Sequence, residues 1–146
     1  MNYTIIAHNA NYMPPVQKPN LTFLPQIGEQ GMRDLLSRFY ACLDQSAIRN
    51  IFPAKNSAEM EEAAQTSADF FIQICGGPAY FNQRHGVPKM RQRHMPFSIT
   101  AEGRLHWLVC FEEALKPLEA SVKEEDLQSF WNYINTFSVM MINTQG

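Results

Sequence analysis

The sequence predicts an all-α fold, and three observations support this prediction. Apolar residues recur at spacings of three and four in several segments, which is typical of helices that bury one face. Helix-capping and helix-breaking residues stand where these segments begin and end. No segment alternates apolar and polar residues between turns, as a half-buried strand would. We therefore expect helices to form the whole domain.

The composition of the 146-residue chain indicates one domain and excludes several classes of protein. Its net charge of -2 provides no general attraction to nucleic acid or to an anionic membrane. No apolar stretch approaches the roughly 20 residues of a membrane span, and the first residues lack the pattern of a secretory signal. Cys42, Cys75 and Cys110 form no CxxC pair, which predicts reduced thiols in a cytoplasmic protein.

The N-terminal residues are predicted to differ from the rest of the chain. Four prolines and several asparagines interrupt residues 1–26, which predicts an extended N-terminal segment. Tyr3, Ile5 and Phe23 are among the apolar residues that allow this segment to pack on the body. Residues 27–146 are predicted to form the helical domain.

Capping residues and apolar spacing place the first helices. Asn56, followed three residues later by Glu59, resembles a capping box and opens a helix that runs to Cys75. Two glycines and a proline then end this helix. A short helical turn is expected at residues 47–51. The apolar stripe of the preceding helix consists of Met32, Leu35, Leu36, Phe39, Tyr40 and Leu43.

Two further helices are predicted in the second half of the chain. Thr100 caps one of them, and Pro117 ends it. The last helix is expected from about residue 123 to residue 141. The apolar residues expected to line the helix after Thr100 are Leu105, Leu108, Phe111 and Leu115.

The strongest candidate for chemistry is His94, which lies at the end of a very short predicted helix. A neutral imidazole that ligates haem iron needs a dry wall beside it and an acceptor for its other ring nitrogen. His85 is the rival ligand, but it lies in a loop that lacks an apolar wall. The wall beside His94 is formed by Met90, Phe97 and Ile99.

Four cations surround His94 in a chain that is otherwise slightly acidic: Arg84, Lys89, Arg91 and Arg93. They form either a solvated basic face or a site for the propionates of a haem. The planar guanidinium suits a carboxylate better than an ammonium does, which makes Arg91 and Arg93 the better candidates.

Tyr40 and Trp107 are either core aromatics or hydrogen-bond donors. A buried phenol needs a partner, and an indole N–H can only donate. Two such donors would stabilise the partial negative charge that O2 acquires on ferrous iron, each by about 1–2 kcal/mol. The motifs of zinc proteases, serine hydrolases and phosphate-binding loops are absent from the sequence.

From Met32 to the C-terminus the chain resembles the truncated haemoglobins, and specifically their second group. Four segments carry the resemblance: SRFY at 37–40, IFP at 51–53, the run at 70–97 that contains GGP and RQRHMPF, and LHWLVCFEEAL at 105–115. It implies a two-over-two helical sandwich around haem b, with the N-terminal extension as an addition.

The resemblance also implies roles for individual residues. His94 corresponds to the proximal iron ligand, and Tyr40 and Trp107 correspond to distal residues. Phe52 takes the position that packs on the haem, and Ser67 lies on the distal helix. The further residues expected around the haem are Ala63, Phe70, Met90, Arg91, Arg93, Phe97, Ile99 and Phe111.

This chain departs from the family pattern at several of these positions. Many members carry a tyrosine or histidine where this chain has Phe52, so one distal hydrogen bond is expected to be missing. Ser67 replaces a bulkier apolar residue, and its hydroxyl can hold water or compete for hydrogen bonds to the ligand. The segment between Phe52 and the distal helix is longer by a few residues, and Val87 replaces a histidine between Gly86 and Pro88.

Three classes of function follow from these expectations. The first is reversible binding of O2, or of NO or CO, by a monomer or homodimer for oxygen transport. The second is a haem enzyme that detoxifies NO or peroxide and depends on an external reductase. The third is a haem sensor or a helical interaction domain without haem.

Overall fold

The computed structural model describes residues 1–9 and 11–145, which form helices joined by short loops and no strand. The all-α prediction is confirmed. Three short 3-10 turns lie at Arg49–Ile51, Lys116–Ala120 and Ser138–Met141. The helices are α1 (Phe23–Asp44), α2 (Ser57–Ile74), α3 (Tyr80–His85), α4 (Met90–His94), α5 (Ala101–Leu115) and α6 (Glu124–Phe137).

The capping residues begin two helices as the sequence predicts. The backbone N–H of Glu59 donates to Oδ1 of Asn56 at 2.9 Å, at the start of α2. The backbone N–H of Gly103 donates to the Thr100 hydroxyl at 3.0 Å, at the start of α5. Each bond satisfies an N–H group that has no partner within its helix.

Helix α1 begins at Phe23, within the segment that the sequence predicts to be extended. The helix is interrupted at Gly28, whose φ of 72° lies in the left-handed region that favours glycine. The turn before Gly28 therefore takes a different direction from the long part of α1 that carries Tyr40.

Aromatic residues join α1, α2, α5 and α6 in one core. The rings of Phe39 and Phe111 stack with their centroids 3.8 Å apart, which fixes α1 against α5. Phe71 on α2 contacts Phe111 edge-on at 5.7 Å and lies 5.5 Å from Phe130 on α6. Within the described ranges, none of the helices has the length and apolar character needed to cross a bilayer.

The structure contradicts the expectation that Leu105 lines the buried face of α5. Its side chain is 45% exposed, whereas Leu108 and Phe111 are fully buried. The buried stripe of this helix instead starts at Arg104 and continues through Leu108 and Phe111, at spacings of four and three. Leu105 is rotated by about 100° from Arg104 and so faces solvent.

The expectation of three reduced thiols is also wrong. Cys42 on α1 and Cys110 on α5 form a disulfide, with their Cα atoms 5.6 Å apart, and Cys75 is free and buried. The two bonded cysteines are 68 residues apart in the chain. Only the packing of α1 against α5 brings them together, so their spacing in the sequence provides no signal.

Candidate haem-binding site

A cavity of about 440 Å³ lies beside the core. Residues from α1, α2, α4 and α5 line it, together with the turn after α6. Most of its wall is apolar, which suits a large planar cofactor. The predicted residues that line it are Tyr40, Phe52, Ala63, Ser67, Phe70, Met90, Arg93, His94, Phe97, Ile99 and Trp107.

Two residues expected around the haem, Arg91 and Phe111, do not line this cavity. Phe111 lies one turn after Trp107, but its fully buried ring stacks on Phe39 in the core. Arg91 is exposed, and its Nη1 donates to the backbone carbonyl of Met140 at 2.8 Å. Their contacts thus place both side chains outside the cavity wall, and a contact of either residue with the haem stays a prediction.

The imidazole of His94 is oriented by its own helix. Its Nδ1 lies 2.6 Å from the carbonyl oxygen of Met90, four residues earlier in α4. Since a carbonyl can only accept, Nδ1 carries the proton in the neutral ring. Nε2 meets no partner among residues 1–9 and 11–145, which leaves it available as a metal ligand.

Asn143, which follows the last 3-10 turn, holds the loop after His94, a role for which the sequence contains no local signal. Its Nδ2 donates to the carbonyls of His94 at 3.1 Å and Phe97 at 2.9 Å. Its Oδ1 accepts from the backbone N–H of Ile99 at 3.0 Å. One amide side chain thus satisfies three backbone groups and fixes the wall of the cavity around the imidazole.

The rival ligand His85 faces away from the cavity. Its Nε2 lies 3.2 Å from Oδ2 of Asp69, a carboxylate that is only 4% exposed. Arg33 and Arg84 donate to Oδ1 of the same Asp69 at 2.9 and 2.8 Å. Burial raises the pKa of Asp69, but the hydrogen bonds from Arg33 and His85, together with the positive charges of Arg84 and Arg33, outweigh burial and leave this pKa below its ordinary value.

Two potential donors from different helices meet at the cavity. The hydroxyl of Tyr40 on α1 lies 2.7 Å from the hydroxyl of Ser67 on α2, and burial raises the pKa of this tyrosine. Trp107 on α5 contacts Phe39 edge-on at 5.3 Å. Unlike the indole of Trp131, which donates to the Thr4 carbonyl, that of Trp107 meets no acceptor within the part of the chain that the structure describes.

The cations near His94 have mostly local partners. Arg93 lines the cavity, and its guanidinium donates to the carbonyls of His85, Val87 and Pro88 at 2.7, 2.9 and 2.6 Å. These bonds organise the loop before α4. Arg84 binds Asp69 instead of facing the cavity.

The cation that sequence reasoning missed is Arg104, which lines the cavity and is 3% exposed. Its position four residues before Leu108 on the buried stripe of α5 is the signal that would have found it. The other lining residues without a predicted role are Phe39, Ile48, Ile51, Pro53, Thr66, Phe71, Phe81, Gly103, Phe137, Ser138 and Met141.

The residues of the cavity fit a haem. An imidazole whose Nε2 is free stands in an apolar cavity, with hydroxyl and indole donors in the same space. A family model described as a bacterial-like globin matches residues 22–143. This chain is a bacterial-like globin. Members of this family bind haem b, so haem b is the cofactor of this globin.

Individual relatives confirm the resemblance to group II truncated haemoglobins. The globin is 34% identical over 101 residues to the group 2 truncated hemoglobin YjbI of Bacillus subtilis, which covers 67% of this chain and 74% of the relative. The crystal structure of phosphate-bound Hell's gate globin IV matches with a TM-score of 0.85 at 32% identity, over 98% of this chain and 88% of that one.

A third relative links the fold to the same group. The truncated oxygen-avid haemoglobin from Bacillus subtilis matches with a TM-score of 0.74 at 28% identity, over 82% of this chain and 98% of that one. The two-over-two architecture that the resemblance implies is therefore confirmed for this globin.

Proposed function

We propose that this globin binds O2 reversibly, with His94 as the proximal ligand of the haem iron and Tyr40 and Trp107 as distal donors. The observation that supports this proposal most directly is the state of His94, because its Nδ1 is occupied and its Nε2 is free in the same cavity as both donors. Ferrous haem supplies the reversible coordination of a diatomic ligand.

The proximal side depends on two contacts of this chain. The Met90 carbonyl accepts the proton of Nδ1, which fixes the tautomer of His94 and makes Nε2 more basic. Asn143 holds the backbone on the C-terminal side of His94. Together these contacts orient the imidazole before the cofactor binds.

On the distal side, Tyr40 and Trp107 donate hydrogen bonds to the ligand. Each bond contributes about 1 kcal/mol, which slows ligand release by about fivefold. Ala63 and Ser67 are the residues of α2 expected to lie nearest the ligand, and neither is a ligand of iron. The distal coordination position therefore remains open for a diatomic ligand.

Phe52 provides no hydrogen-bond donor on the distal side. Its ring lies 5.9 Å from that of Tyr40 and lines the cavity, but it has no hydroxyl. Many group II members carry a tyrosine or histidine here. Tyr40 and Trp107 are therefore the direct donors on which a high O2 affinity of this globin depends, in a chain similar to a haemoglobin described as oxygen-avid.

Detoxification of NO or peroxide is the second candidate function. The hydroxyls of Tyr40 and Ser67 favour it, since a polar distal pocket assists chemistry on O2 and peroxide. An external reductase would have to return the iron to the ferrous state after each turnover. Mixing the O2-loaded globin with NO in a stopped-flow instrument, and then following the return of the ferric haem to the ferrous state in a cell lysate, separates the functions. Any O2-loaded globin can form nitrate once, whereas an enzyme must be reduced again fast enough to sustain repeated turnover.

Replacement of His94 by glycine tests the proposal. The purified wild-type globin is expected to show a Soret band and to bind and release O2 through several cycles. His94→Gly should lose the wild-type ferrous spectrum and regain it when free imidazole is added. His85→Gly is the matched control and should keep the wild-type spectrum; a lost spectrum in this control, with a normal one in His94→Gly, would contradict the proposal.

A further inference from the structure

Arg104 is a buried cation whose hydrogen-bond acceptors are all neutral. Its Nε donates to the hydroxyl of Ser138 at 2.8 Å. Its Nη2 donates to the backbone carbonyl of Asn135 at 2.6 Å and to Oδ1 of the same residue at 2.9 Å. Its Nη1 donates to the carbonyl of Ile6 at 2.6 Å. The guanidinium thus uses four of its five N–H groups.

No carboxylate pairs with Arg104 among the residues that the structure describes. Arg33 and Arg49, by contrast, pair with Asp69 at 2.9 Å and with Asp44 at 2.7 Å. Burial lowers the pKa of Arg104 to about 10, which leaves the guanidinium protonated at neutral pH. The wall of the cavity therefore contains a positive charge without a counter-ion.

Residues 1–6, which we call the strap, cover the outer side of this cation by binding to one face of α6. Gln128 donates to the carbonyl of Asn2 and accepts from its N–H, both at 2.8 Å. Asn135, two turns further on, donates to the carbonyl of Thr4 at 2.8 Å and accepts from the N–H of Ile6 at 3.0 Å. These bonds position the strap so that the Ile6 carbonyl accepts from Arg104.

An aromatic contact and two charged groups fasten the beginning of the strap. The ring of Tyr3 meets Trp131 edge-on at 5.1 Å, and its hydroxyl donates to Glu119 at 3.0 Å. The amino group of Met1 binds Glu124 at 2.6 Å. These contacts lie outside the haem cavity, so they can be altered without changing its wall.

We propose that the strap and α6 hold Arg104 as a fixed, uncompensated charge whose field raises the reduction potential of the haem. This inference depends on haem binding in the cavity, as proposed above. Ferric haem carries one more positive charge than ferrous haem, and a nearby cation in a medium of low dielectric constant disfavours the ferric form. Since four of its N–H groups are already occupied, Arg104 cannot form a bidentate pair with a carboxylate. It therefore serves as a fixed charge.

Spectroelectrochemistry of the haem-loaded globin tests the role of the charge. Arg104→Gln should lower the midpoint potential and speed autoxidation severalfold, whereas Arg104→Lys, which keeps the charge, should remain close to wild type. Arg38→Gln is the matched control. Within residues 1–9 and 11–145, Arg38 also has only a neutral acceptor, the carbonyl of Ala114, but it lies outside the cavity wall. Its midpoint potential should not change.

A full-length Tyr3→Ala/Gln128→Ala variant tests the strap and remains informative if Arg104→Gln does not fold. A loosened strap admits water to Arg104, and water screens its charge. The midpoint potential should therefore fall, but by less than it falls in Arg104→Gln. An unchanged potential in this variant, or in haem-loaded Arg104→Gln, would overturn the inference. Weaker haem retention at unchanged potential would also overturn it, since Arg104 would then act as a propionate partner. A wild-type protein without a Soret band would instead contradict the proposed function.

Discussion

The hydroxyl of Tyr40 and the hydroxyl of Ser67 lie 2.7 Å apart and join α1 to α2 at the wall of the cavity. Either hydroxyl can donate. If Ser67 donates, the proton of Tyr40 is free to point at a ligand, and its oxygen is polarised by the bond that it accepts. Ser67 is then a positioning residue that acts through Tyr40, and it does not compete for the ligand.

Ser67→Ala should therefore raise the O2 dissociation rate about two- to threefold. This increase is smaller than that expected for Tyr40→Phe, which removes the donor itself and should raise the dissociation rate by about fivefold. Stopped-flow displacement of O2 by CO measures both rates.

A double variant separates positioning from direct contact. In a Tyr40→Phe background, Ser67→Ala should have no further effect, because there is no phenol left to orient. Thr66→Ala is the matched control, since the Thr66 hydroxyl donates within α2 to the carbonyl of Glu62 at 3.2 Å. Equal effects of Ser67→Ala in both backgrounds would show that Ser67 touches the ligand directly.

Trp107→Phe should raise the O2 dissociation rate severalfold while the ring keeps its contacts with Phe39 and Phe111. The physical reason is the loss of an N–H that can donate to the ligand. Stopped-flow displacement of O2 by CO measures this dissociation rate. His106→Gln, at the neighbouring position of α5 outside the cavity wall, is the control. An unchanged rate in Trp107→Phe would remove Trp107 from the mechanism.

Asp69→Asn should destabilise the globin at neutral pH by about 2 kcal/mol, because charge-assisted hydrogen bonds from Arg33, Arg84 and His85 are weakened. The pKa of Asp69 lies below its ordinary value of 3.8 in the folded protein. Its contribution is therefore complete above pH 3.8 and disappears as the pH falls through the folded-state pKa.

Urea unfolding of wild type and Asp69→Asn across pH measures this difference. The two free energies of unfolding should differ at pH 7 and converge under acid conditions. Asp34→Asn is the control, since Asp34 is exposed and, among the described residues, accepts from Gln30 alone, at 2.9 Å. A difference between wild type and Asp69→Asn that grows as the pH falls would contradict the assignment.

The disulfide between Cys42 and Cys110 should stabilise the folded protein against unfolding, and a reductant should remove this stabilisation. Closing a loop over 68 residues contributes on the order of 4 kcal/mol in the chain-entropy description. Reductant should lower the urea midpoint of wild type and leave that of Cys42→Ser/Cys110→Ser unchanged. A thiol reagent should detect one thiol per chain, that of Cys75, in denatured wild type before reduction and three thiols after reduction. Three thiols before reduction would contradict the disulfide.

The helices and much of the cavity could be predicted because their signals are local. Asn56 and Thr100 begin helices through bonds that span three residues. His94 and Met90 lie one turn apart on the same helix, so the orientation of the imidazole is also encoded within α4. The family motifs then identified which of these residues share a site.

The remaining features could not be predicted because they depend on contacts between distant segments. Arg104 meets the Ile6 carbonyl across 98 positions of the chain. Cys42 and Cys110 meet only through the packing of α1 on α5. The stacking of Phe111 on Phe39 joins two helices that lie far apart in the sequence, so neither local pattern predicts it.

Resonance Raman spectroscopy of the ferrous globin tests the central claim, coordination of iron by His94, most directly. The account predicts an iron–histidine stretching band that shifts when histidine is labelled with 15N. The band should be absent from His94→Gly and present in His85→Gly. A band that survives in His94→Gly without added imidazole would contradict the account.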